Sequence, residues 1–177
     1  MNLRETILAE HSKSQTLKIV KWIGNDKKRF AELVNLFLND EYRVVQRAAW
    51  PLSIIAIEHT DFVKPYLGKF INLLSKENLH PAVTRNILRL LQFIDVPEKH
   101  LGKLTNVCFG FLLNSNSTIA SQAFAMEVLS NITTKEPELK RELQVVVEEL
   151  MKEGSAGVKA RGRKVLKKLS AVGSQSQ

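Results

Sequence analysis

One cysteine, two tryptophans, two tyrosines and five prolines are the scarce residues of this 177-residue sequence. A lone Cys108 cannot close an internal disulfide or build a zinc site, so neither cross-links nor a thiolate metal centre is expected to hold the fold. The histidines at 11, 59, 80 and 100 stand far apart, each without a second ligand three or four residues away. There is no HExxH pair, no Gly-x-Ser-x-Gly elbow and no Gly-x-Gly-x-x-Gly turn. Glu148 and Glu149 are adjacent and so diverge on a helix, which makes them a solvated face rather than a catalytic pair. No catalytic, cofactor-binding or metal-binding residue is therefore expected, nor an enzyme. Long apolar runs are missing too: nothing approaches the roughly 18 residues of a membrane span. The start carries Arg4, Glu5 and Glu10, unlike a secretory leader, so a cytoplasmic location is the expectation.

Acidic side chains are absent after Glu153, and this locates the formal net charge of +8. Lys159, Arg161, Arg163, Lys164, Lys167 and Lys168 supply six of those charges, leaving +2 for residues 1–153. A smaller basic stretch runs from Lys13 to Arg29, and the segment from Glu127 to Glu153 is acidic. Basic ends with an acidic segment between them argue against one continuous basic groove. With 44% hydrophobic and 25% charged residues, the composition is that of a folded chain.

What the sequence has is a repeat. Leu36, Leu74, Leu112 and Leu150 recur at a spacing of 38 residues without insertion. Leu33, Ile71, Phe109 and Val147 form a second series, and Leu52, Leu90, Val128 and Leu166 a third. Asp40, Asn78, Asn116 and Gly154, all turn or cap formers, close the units. A fixed period of this length with helical spacing inside it predicts an all-α, right-handed α-α superhelix, in which each unit buries its apolar face by stacking on its neighbours. About four helix pairs are expected, over 12–39, 40–77, 78–115 and 116–153. A capping helix over 154–170 would complete a single domain spanning 1–170, followed by a disordered tail at 171–177. Ser12 or Ser14 caps the first helix, Asp26 the next, and Pro51 is expected to kink the helix that contains it.

The stretch VQRAAWPL at 45–52, opened by Asp40, resembles the first helix of a HEAT-type repeat: an Asp, a few residues, Val and Arg, then alanines and a Leu. Pro51 is similar in place to that family's kink-forming proline, and Asp61 and Asp95 to its turn aspartate. Val83, Arg85 and Leu90 continue the pattern, with Asn86 and Ile87 where small residues are usual; Ala120, Ala123, Ala125 and Leu129 keep it without the arginine. The resemblance covers most of the chain and implies a HEAT/armadillo-like solenoid. In detail the chain is similar to small bacterial HEAT-like proteins of undefined role, some carrying the label adenylosuccinate lyase. The lyase loop Ser-Ser-x-Met-Pro-x-Lys is absent, and the chain is too short for that enzyme's long helical bundle. A HEAT-like family of DNA alkylpurine glycosylases uses aromatics and an Asp in a basic channel, but Trp22 and Trp50 lie on Ala- or Val-rich faces and are expected in the core.

The expected function is a non-catalytic protein-binding or adaptor scaffold, with another protein or a peptide as partner. Nucleic-acid binding is the alternative, and a lyase the second and least favoured one. Arg47, Arg85 and Arg161 share one register, either as a ladder gripping phosphates or carboxylates or as stacking residues that pair with the neighbouring unit; stacking is the expected role. Arg163 and Lys164 belong to a basic segment that is either a partner site or the solvated face of a capping helix, with Val158, Val165, Leu166 and Leu169 favouring the cap. The run VCFGFLL at 107–113 is apolar all round and is expected to be buried. Phe111 is the residue expected to be exposed if one is, and Gly110 is expected to mark a close approach.

Overall fold

The computed structural model describes residues 1–172, in which every regular element is a helix. The chain forms two compact units, 1–95 and the residues from Val96 onward.

In the first unit, α1 spans Leu3–Ala9, α2 Lys13–Ile23, α3 Lys27–Asn39 and α4 Tyr42–Glu58. Thr60–Val63 makes a short α5, Lys64–Tyr66 a 3-10 turn, Leu67–Leu74 α6 and Pro81–Leu91 α7. The caps follow the sequence. Ser12 accepts from the Gln15 amide, and the Asp26 carboxylate from the amides of Lys28 and Arg29. The residues before Ser12, read from sequence as no element, form α1, capped by Asn2 and buried at Leu3 and Ile7. Seven residues give too little periodicity to stand out, and tertiary burial rather than propensity makes this helix. The second helix of the next pair is broken at Pro65, which has no N–H for a helical bond. α4, in contrast, runs through Pro51 and packs against α1, α2, α3 and α7. Phe37 meets Phe70 edge-on at 5.7 Å and Phe30 meets Phe62 at 5.5 Å, which ties α3 to the α5–α6 segment. Asn86 is buried, but its amide donates to the Ala82 carbonyl and its oxygen accepts from the Ser53 hydroxyl. A polar residue in a small-residue position is thus satisfied across the α4–α7 contact.

In the second unit, α8 spans Glu98–Leu113, α9 Ile119–Ile132, α10 Leu139–Glu153 and α11 Ala156–Val172. α9 lies against both α8 and α11, and α10 against α11. Val158, Val165 and Leu169 are buried and Leu166 half-buried, so the last helix is docked by the stripe that its sequence offers. Gly162 permits that docking, because a Cβ there would collide with Met151 and would meet Val147 at 3.2 Å. The part of the expected tail from residue 173 onward lies outside the described residues; Ala171 and Val172 are still helical.

The repeat series are core series. Leu33, Ile71, Phe109 and Val147 are all buried, as are Leu52, Leu90 and Val128. Leu74 and Leu112 are buried, whereas Leu36 and Leu150 are half-buried. Asn78 adopts φ 57°, a left-handed conformation that asparagine tolerates better than most residues, and Gly154 ends α10.

Candidate partner-binding surface

The shared register does not make a ladder of the three arginines. Arg47 turns inward: its guanidinium donates to the Leu8 carbonyl at 2.7 Å and the Ile7 carbonyl at 3.5 Å, at the C-terminal end of α1, where carbonyls lack helical donors. Arg85 is exposed and makes no hydrogen bond or ion pair among the described residues. Arg161 donates to Glu127 of α9 at 2.9 Å, and Lys168, two turns further along α11, reaches the other oxygen of the same carboxylate at 3.1 Å. Lys168 also donates to the Asn131 side chain at 2.6 Å. Partial burial works to raise the Glu127 carboxyl, but the hydrogen bonds from Lys168 and Arg161, with their charges, outweigh it and hold the group below its ordinary value. Two of the three arginines therefore bind helix to helix within their own unit.

Removing Arg161 and Lys168 from the basic segment leaves four cations, of which Lys159 is half-buried. Arg163, Lys164 and Lys167 are exposed and have no ion pair among the described residues. Positions 163 and 167 are four apart and 164 and 167 three apart, so all three lie on one side of α11. No acid interrupts that helix. On neighbouring α10, however, Glu142, Glu148, Glu149 and Glu153 are exposed.

Phe111 needs correction as the exposed residue of its helix: it is half-buried, and Leu113 at 72% is the exposed large apolar side chain there. Cys108 and Leu112 define the buried side, Phe111 borders it, and Leu113 falls on the opposite one with Gly102, Asn106 and Gly110. The run at 107–113 is consequently not buried all round, and Gly110 marks no close approach, since nothing lies within 4 Å of a Cβ placed there. Cys108 is fully buried, which pushes its thiol pKa far up and leaves it unreactive. Trp22 and Trp50 are half-buried instead of core. Trp22 carries the Arg29 guanidinium 4.6 Å from its ring centre, and Trp50 meets His11 edge-on.

The HEAT repeat domain matches residues 3–169, essentially the whole span from α1 to α11. The chain belongs to the HEAT repeat family. No curated protein and no solved structure matches it. The shared arginine register is thus used for packing in Arg47 and Arg161, and the HEAT match begins at Leu3, the first residue of α1. The Glu127 contact left one sequence trace: Glu127 stands one helical turn beyond Ala123, the residue in Arg161's register in the preceding unit. No helix among the described residues is long and apolar enough to cross a membrane.

Proposed function

We propose that this HEAT repeat chain is a non-catalytic scaffold that binds an acidic segment of a partner protein along the outer side of α11. The observation that carries the reading is the division of labour within that helix. Arg161 and Lys168 hold it to α9 through Glu127, while Arg163, Lys164 and Lys167 point their charge at solvent. A helix buried on one side is rigid, and cations fixed on its other side meet a carboxylate-rich partner at reduced entropic cost. Arg85 is a second exposed arginine, on α7.

Nucleic-acid binding is the second reading, supported by the concentration of charge on α11. The exposed acids of α10 weigh against it, because a phosphate backbone reaching beyond α11 meets Glu142, Glu148, Glu149 and Glu153. Fluorescence anisotropy of the full chain, titrated against a labelled polyglutamate peptide and a labelled duplex DNA of equal charge, separates the two. The scaffold reading expects the peptide to bind more tightly. Tighter binding of the duplex, with an affinity that falls steeply with salt, would overturn it.

A further inference from the structure

A depression bordered by acidic side chains lies elsewhere in the second unit. Between α8 and the start of α10 is a depression of about 350 Å³, lined by Leu101, Gly102, Thr105, Asn106, Glu136, Glu138 and Leu139. The i, i+4 pairs Leu101/Thr105 and Gly102/Asn106 supply the α8 wall, and a Cβ added at Gly102 would meet nothing within 4 Å, so the wall is open at that point. Glu136 and Glu138 stand across from them on the segment that enters α10. Neither carboxylate has a basic partner among the described residues. The neighbouring Glu138 first, and Glu98 after it, keep the Glu136 carboxyl above its ordinary value. Thr105 is more than nine-tenths buried, lines the depression, and makes no hydrogen bond through its hydroxyl among the described residues.

The usual work of acids before a helix is capping, and here it is not done: Glu138 holds the N-cap place of α10 and makes no capping hydrogen bond. Two carboxylates lining one depression without a cation, beside an apolar floor and a hydroxyl with no protein partner, form a receptor with its charge uncompensated. We infer that this depression accepts the guanidinium of an arginine side chain from a partner peptide, its stem lying over Leu101 and Leu139 and its head between Glu136 and Glu138. Arginine suits the site better than lysine because its planar fork donates to two carboxylates and a hydroxyl at once. The site rests on the reading of the chain as a protein-binding scaffold and on different residues from those of α11.

The test is an amide-resolved NMR titration of the full chain with N-acetyl-arginine-N-methylamide, alongside the citrulline analogue, which has the same shape and no charge. The arginine compound is expected to shift the amides of Gly102, Thr105, Asn106 and Glu136 saturably, with a dissociation constant on the order of a millimolar, and the citrulline compound to shift them about tenfold less. Glu136→Gln with Glu138→Gln removes the acceptors, and Gly102→Phe fills the depression. Both should abolish the shifts while spectra elsewhere stay native, and the Gln pair should not lower the unfolding midpoint, since it removes a like-charge contact. Equal response to citrulline, no saturable shift in the wild type, or unchanged binding by the Gln pair would overturn the site. Polyglutamate binding at α11 is read separately, so failure of the arginine site and failure of the scaffold reading are distinguishable.

Discussion

Replacing Glu127 with Gln removes the anion on which Arg161 and Lys168 converge while keeping the size of the side chain. The three side chains are 23%, 28% and 40% exposed, in that order, so the contacts are neither fully solvated nor sealed from water. An exposed ion pair is worth at most about 1 kcal/mol, and breaking a fully buried one costs about 3–5 kcal/mol. Two half-buried contacts at 2.9 and 3.1 Å sharing one carboxylate fall between these limits. The expected cost of Glu127→Gln is about 1–2 kcal/mol at neutral pH. For a chain of this length that is a fall of about 2–8 °C in melting temperature. The sign of its pH dependence follows from the depressed carboxyl. The stabilisation is fully present above the unfolded-state value, ordinarily 4.5, and is lost as pH falls through the lower folded-state value. Urea unfolding of wild type and variant at neutral pH and at a series of acidic pH values should show the two curves converging in acid. Equal stability at neutral pH, or a difference that does not shrink in acid, would mean that the Glu127 carboxylate does not hold α11 to α9.

Leu74→Ala and Leu112→Ala truncate buried members of the repeat series and should each cost about 2–5 kcal/mol by urea denaturation, with Leu150→Ala costing less because its site is half-exposed. Arg47→Ala should cost about 1–2 kcal/mol, since it strips the terminal carbonyls of α1 of a charged donor. Arg85→Ala should stay within about 0.5 kcal/mol of wild type in the same assay, because the side chain is exposed; equal costs for the two arginines would contradict their separate roles.

The core was legible because burial recurs. Leu33, Ile71, Phe109 and Val147 are all buried at one spacing, and the caps Ser12 and Asp26 stand where local chemistry put them. Elements whose reasons are tertiary were less legible. α1 is held by the burial of Leu3 and Ile7 and by the Arg4 guanidinium, which donates to the Asp40 carboxylate from Nε at 2.9 Å. Gly110 and Gly162 have the same local character in sequence, yet one faces open space and the other a neighbouring helix. The arginine register was legible and its use was not, because position along a helix does not say which way a long side chain turns. Nothing in the sequence sets Glu136 and Glu138 apart; what distinguishes them is the depression opposite, made by residues 30 or more positions earlier.

In the proposed division of labour, the outward cations of α11 bind a partner while its inward ones hold the fold. The most direct test is the anisotropy of a labelled polyglutamate peptide with the full chain carrying Arg163→Glu, Lys164→Glu and Lys167→Glu together. The variant should lose binding at an unchanged unfolding midpoint. Retained binding, or a loss matched by a fall in stability, would contradict it.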